Sequence, residues 1–432
     1  MFSYYLDLAL RSFRRNKALT ALMVVAIALG IGASMTTLTV LHVLSGDPLP
    51  EKSSKLFYPQ LDPQDMDGYK PQDDPPAQVS WTDGMALLHA RRAHYQALMT
   101  GGAVPIQPAQ SSIDPFFEDA RYTSADFFPM FDVPFLYGHS WNATDDEASA
   151  RVAVLTRELN DKLFGGKDST GQTLRMDDVA FRIVGVLDSW RPTPHFYDLN
   201  TGSYSSDEGV FVPVTTATDL KFARNGSTDC WDKGSSENMK AATCTWLQFW
   251  VQLDGPAEAA AYKDFLLNYS REQKALGRFQ RPPNVRLHDL MGWLDFNKVV
   301  PSDVHLQVWL AFGFLLVCLV NTVGLMLAKF LRRSGELGVR RALGASRRSL
   351  FAQLLVEAAA VGLAGGTGGL LLALLGLWLV RRQPSDYAAL AHLDLPMLLA
   401  TFVFAVVASL LAGLLPAWRA CLIPPALQLK SN

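Results

Sequence analysis

Four stretches of this chain are almost without charge: residues 18–44, 306–328, 350–380 (interrupted only by Glu357) and 395–418. A helix rises about 1.5 Å per residue, so roughly 20 apolar residues cross a hydrocarbon core about 30 Å thick. A single window of this kind is equally a buried core helix, and the first by itself resembles a secretory signal. A signal's apolar stretch is only about 7–15 residues long, however, and the first window runs well past that and has three companions. The charged fraction of 19% over 432 residues is low because these windows are nearly empty of charge. The pattern predicts a membrane protein: four transmembrane α-helices with a large α+β domain inserted between helices 1 and 2. The helices are placed at 18–45, 304–329, 350–380 and 395–418, and the inserted domain at 46–303.

Orientation follows from Lys and Arg. Arg11, Arg14, Arg15 and Lys17 precede the first span, and Arg419 and Lys430 follow the last. Between the second and third spans, after Lys329, lies RRSGELGVRRALGASRRSL (332–350), with six arginines and one acid. Four crossings put all three segments on one side, which their positive charge marks as cytoplasmic. Arg381 and Arg382, in the short loop 381–394, run against the trend. Residues 1–17 then form a cytoplasmic amphipathic segment with Tyr4, Leu8 and Phe13 near one side, residues 330–349 a cytoplasmic loop, and residues 419–432 a cytoplasmic tail. The inserted domain is external.

That external body mixes element types. Residues 47–76 are rich in Pro and Asp and read as extended chain with turns. Helical spacing follows in 81–98, with Met85, Leu87, Leu88 and Tyr95 on one side. FFPMFDVPFLYG, RVAVLT, LRMDDVAFRIVGVLDSW and GVFVPV read as strands and turns. TRELNDKLFGG reads as a short helix closed by Gly165, and 257–278 as a long, mostly polar helix. Strands from both flanks are expected to meet in one sheet. Of the four Cys, only Cys230 and Cys244 lie in this body. In an oxidising compartment they are expected to form a loop-closing disulfide, two free thiols being the alternative.

Little in the chain points to catalysis. FGGKDSTG (164–171) lacks the spacing and the Ser/Thr after Lys of a phosphate-binding loop, and reads as a turn. His195, His288 and His305 have no neighbours at metal-ligand spacing. No catalytic, cofactor or metal residues are expected, and a net charge of −2 suggests no nucleic-acid partner. In the third span Gly362 and Gly366, and Gly365 and Gly369, lie four apart and open a helix face to close approach. Ala26, Gly30 and Ser34 form a similar face in the first span, which suggests a contact between subunits. Glu357 and Asn321 are polar groups in spans, too few for an ion pathway. Glu357 is near enough to the basic loop to reach water or pair with an arginine. In that loop Leu337, Val339, Ala342 and Leu343 interleave with Arg340, Arg341, Arg347 and Arg348. The loop therefore reads as a short amphipathic helix ended by Gly344, held by lipid headgroups or by a cytoplasmic partner.

ELGVRRALGASRRSLFAQLLVEA (336–358) closely resembles the loop and following span of FtsX-like and MacB-like ABC transporter permeases, where E-[IL]-G-[IV]-R-[RK]-A-[LI]-G-A leads into the next helix. Residues 122–141 and 151–187 resemble the periplasmic core domain of the same proteins. The resemblance implies a permease of the type VII, mechanotransmission kind in the bacterial inner membrane. In it, ATP binding closes a cytoplasmic ATPase dimer and the motion passes through the loop to the periplasmic domain. Glu336, Leu337, Gly338, Arg340, Arg341, Ala342, Leu343 and Gly344 would contact that ABC ATPase, which holds the ATP and Mg. MacB carries its ATPase ahead of the first span, so here a separate ATPase polypeptide is expected. The implied partners are a second permease copy or paralogue, forming a dimer, with a periplasmic adaptor and an outer-membrane channel. The implied function is export of a periplasmic peptide, toxin or small molecule. Regulation of a periplasmic hydrolase and lipoprotein extraction are the alternatives. Residues 48–74 and 190–245 match nothing in the family.

Overall fold

A computed structural model describes residues 8, 11–13, 16–109, 113–204, 208–232, 238–240, 243–383, 392–393 and 395–422. Tyr4, Arg14, Arg15 and Lys430 lie outside them. The chain divides into a helical unit, Met1–Ser45 with Val300–Asn432, and an α+β unit, Gly46–Val299. In chain order the helices of two turns or more are α1 (Lys17–Leu44), α2 (Trp81–Ala90), α3 (Arg157–Phe164), α4 (Pro256–Ala275), α5 (Ser302–Arg332), α6 (Ser334–Ala342), α7 (Arg347–Val380) and α8 (Leu395–Leu422).

The α+β unit is built on a 12-stranded sheet. Its strands are β1 (Leu56–Leu61), β2 (Val79–Ser80), β3 (Tyr95–Gln107), β4 (Phe116–Thr123), β5 (Phe135–Gly138), β6 (Val152–Leu155), β7 (Thr173–Met176), β8 (Val179–Leu187), β9 (Val210–Pro213), β10 (Asp229–Cys230), β11 (Cys244–Gln252) and β12 (Val285–Asp289). The order along the sheet is β12-β1-β11-β3-β4-β9-β6-β8-β5, with β2 and β10 on β11 and β7 joining β3 and β8. Strands from both flanks do meet: β1 lies between β11 and β12. Its ladder with β11 covers only Leu56 and Phe57, and so stops short of Pro59, which has no N–H to donate. Leu98, Val104, Ile106, Phe181, Ile183 and Phe249 are fully buried in the core.

Local signals set several boundaries. Thr156 caps α3 by accepting from the Leu159 amide at 3.3 Å, and Gly165 ends it at φ 65°, a left-handed turn that costs glycine nothing. On α4, Tyr262, Leu266 and Ser270 are buried at four-residue spacing and the remainder is largely polar surface. Two readings need correction. The helix expected over 81–98 ends at Ala90, where Arg91 takes φ 45°, and Tyr95 already belongs to β3. FFPM, in a segment read as strands and turns, is a single helical turn, Phe127–Met130.

In the helical unit α1, α5, α7 and α8 are each long and apolar enough to cross a membrane. α1 packs against α5 and α7, and α8 against α7 and α5. The two glycine pairs of α7 serve different neighbours. A Cβ at Gly365 or Gly369 would lie 2.6 or 2.8 Å from Ile27 or Ile31 of α1, and one at Gly362 or Gly366 2.6 or 2.8 Å from Ser409 or Ala405 of α8. The face on α1 expected to meet another subunit is instead partly used within the chain. A Cβ at Gly30 would lie 2.7 Å from Leu315, and Ser34 donates to the Ala311 carbonyl at 3.2 Å, both on α5.

Gly365→Val should therefore push α1 and α7 apart and destabilise the helical unit by about 1–3 kcal/mol. The check is the thermal midpoint of the full chain in detergent, with Gly324→Val, where nothing lies within 4 Å of the added Cβ, as the control. Equal midpoints for the two variants would show that the helices do not depend on this approach.

Candidate coupling interface

α5 breaks at Arg333 and α6 begins at once. α6 closes through Leu343 and Gly344, the latter at φ 100°, and Ser346 then caps α7 by accepting from the Ser349 amide at 3.2 Å. All eight residues expected to face a partner thus sit on one short helix and its closing turn, but they do not share a face. Leu337 and Gly338 are buried, Leu337 in the core of the helical unit. Arg340 donates to Gln353 of α7 at 2.9 Å, and Arg341 to the Cys421 carbonyl of α8 at 3.4 Å. Glu336 pairs with Arg333 at 3.1 Å. Val339 and Leu343 are the large apolar residues left outside, 46% and 83% exposed, and Ala342 and Gly344 are exposed beside them.

Behind α6 lies a group of charges that sequence reasoning only touched at Glu357. Lys329 looks in the sequence like a basic flank, yet its side chain is buried and pairs with Glu357 at 2.7 Å. Arg333 reaches the other oxygen of the same carboxylate at 3.1 Å. Ser12 also donates to Glu357, and Lys329 donates to Thr20 of α1 at 3.2 Å. Asn321 is exposed on α5.

The α+β unit holds a second buried charge group, built from β4, β11 and residues between 190 and 210. Arg121 of β4 pairs with Asp198 at 2.7 Å and with Glu208 at 2.9 Å through its Nε. The Tyr197 hydroxyl donates to Glu208 at 2.8 Å, the Gln248 amide to Asp198 at 3.0 Å, and His195 approaches Glu208 at 3.4 Å. Burial alone would raise the Glu208 carboxyl, but the charges of Arg121 and His195 outweigh it and hold the group well below its ordinary 4.5. Cys230 and Cys244 are disulfide-bonded across the β10–β11 pair. FGGKDSTG is a turn, with Gly165, Gly166 and Gly171 at positive φ. Among the described residues, no three His, Cys, Asp or Glu side chains converge as metal ligands would.

Four membrane-length helices with an α+β domain between the first and second define a multi-pass membrane protein. Residues 20–267 match the MacB-like periplasmic core domain and residues 308–425 the FtsX-like permease C-terminal domain, and the chain belongs to this MacB-like, FtsX-like permease family. It is similar to the pyoverdine export ATP-binding/permease protein PvdT of Pseudomonas entomophila, 26% identical over 371 residues, 83% of this chain and 49% of that protein. It is also similar to the macrolide export ATP-binding/permease protein MacB of Rhodospirillum rubrum, 25% identical over 447 residues, 100% of this chain and 61% of that protein. The chain thus spans about half the length of the curated relatives it matches. The crystal structure of the periplasmic region of MacB from Actinobacillus actinomycetemcomitans superposes with a TM-score of 0.38 at 10% identity, covering 60% of this chain and 98% of that one.

Proposed function

We propose that this chain is the membrane permease subunit of an ATP-driven mechanotransmission exporter of the bacterial inner membrane. It works as a dimer with a second copy or paralogue, and a separate ABC ATPase docks on α6 and holds the ATP and Mg. The observation that carries this reading is the split of α6: one side is bonded to the membrane helices while Val339 and Leu343 point away from them. A partner with an apolar groove gains by covering those two, and an acidic rim would meet the arginines around them. The concentration of Arg and Lys around α6 supports a cytoplasmic location for this side and, with four crossings, for both termini. The relatives named as pyoverdine and macrolide exporters favour export. In this reading the cargo is a periplasmic peptide, toxin or small molecule, handed to a periplasmic adaptor and an outer-membrane channel.

The full chain expressed in its own host should co-purify with an ATPase, and the pair in lipid should hydrolyse ATP. Deletion of the chain should cause retention of a specific compound. Absence of any co-purifying ATPase would sink the reading. A wall-hydrolysis defect with unchanged efflux would reassign the same machinery to control of a hydrolase, and accumulation of lipoproteins in the inner membrane to their extraction.

A further inference from the structure

We infer that Glu357 is a positioning residue that ties α6 to three membrane helices, so that a displacement of α6 reaches α1, α5 and α7 together. This rests on the reading of α6 as the ATPase contact. Glu357 is 3% exposed and Lys329 1%. One carboxylate therefore gathers groups from four places: Lys329 of α5, Arg333 at the α5–α6 junction, Ser12 ahead of α1, and, through Lys329, Thr20 of α1. Arg333 also donates to Ser12 at 2.8 Å and pairs with Glu336 in the first turn of α6, which joins the buried group to the helix itself. Lys329 further lies 5.1 Å from the Phe13 ring centroid.

The far end of α6 is tied to the same helix. Gln353, which accepts from Arg340, stands four residues before Glu357 on α7, and residues so spaced share a helix face. α6 is thus held at both ends by one face of α7, through Arg333 to Glu357 and through Arg340 to Gln353. A buried ion group is a poor means of adding stability, since apolar residues of equal volume pack as well. Its distinctive property is direction: each bond requires one geometry, so its partners move together or the bond breaks.

The test uses the full chain in lipid nanodiscs with its co-purifying ATPase, comparing the native chain, Glu357→Gln and the apolar double variant Lys329→Met/Glu357→Leu. One readout is hydrogen exchange of the α6 amides in the chain alone, and the other is the ATP-dependent change in exchange of α1 and α5 in the complex. Glu357→Gln should speed α6 exchange about tenfold or more and abolish the ATP-dependent change, with the same amount of ATPase bound. If that variant does not fold, the double variant carries the test, because it removes both charges of the buried pair. The same losses there support the tether. A native ATP-dependent change in either folded variant overturns it, since packing alone would then transmit the motion. If no ATPase co-purifies, the functional reading fails by itself, and α6 exchange decides: faster exchange upholds the tether and unchanged exchange overturns it.

Discussion

Leu343→Asp is expected to weaken association with the ATPase by about 100-fold or more while leaving the chain folded. Covering a leucine fully contributes about 1.5–3 kcal/mol, and each 1.4 kcal/mol is a factor of about ten in affinity. Aspartate forfeits that and adds a carboxylate that must be stripped of water on docking. In the single chain Leu343 is 83% exposed, so the fold loses little with it. Leu337→Asp, six residues earlier, should behave in the opposite way: at 7% exposure it places a carboxylate in the core of the helical unit and should unfold it. Titration of the ATPase onto the nanodisc-embedded chain separates the two, with size-exclusion profiles reporting the fold. Unchanged binding by Leu343→Asp would give this face to lipid headgroups rather than to a protein.

The membrane helices and the insertion were legible because a span is decided by composition over a long window. No distant partner enters that decision. The end of α2 was not legible for the complementary reason. Met85, Leu87, Leu88 and Tyr95 fit one helical face, but the chain turns at Arg91 so that β3 can pair with β11, Gln96 opposite Val251. β1 was hidden by its Pro- and Asp-rich surroundings, and its partners β11 and β12 come from the other end of the domain. In α6 the alternation of apolar and basic residues was plain from sequence. Which residues turn inward was not, because that depends on Gln353 and Cys421 of two other helices. Glu357 stands out in the sequence as a carboxylate inside a span, within reach of water or of an arginine of the loop. Lys329 could not be added, since a lysine at the end of an apolar run reads as solvated until α7 is placed beside it. The group around Arg121 left no local pattern at all: its carboxylates lie 77 and 87 residues away.

That group carries the last prediction. Arg121→Met should destabilise the α+β unit by about 3–5 kcal/mol at pH 7, because it leaves Asp198 and Glu208 buried without their cation. In the native chain the Glu208 carboxyl lies below its ordinary 4.5, so the unfolded chain takes up this proton first as pH falls. Its contribution is therefore complete above about pH 4.5 and is lost progressively below that, towards the folded value. Without Arg121 the larger of the two charges that oppose burial is gone, which moves Glu208 towards the protonated form, with His195 left to oppose it. The depression of the carboxyl then shrinks, and with it the stability that the variant gains as pH rises through about 4.5. The difference between native and variant chains in urea unfolding of the α+β unit should consequently be large at pH 7 and shrink towards pH 4. Arg121→Lys, which keeps the charge but not the planar fork that reaches both carboxylates, should fall between them at pH 7. A deficit of equal size at both pH values would assign the role of Arg121 to the packing of its side chain beneath Tyr197, whose ring centroid is 5.1 Å from the guanidinium, rather than to its charge.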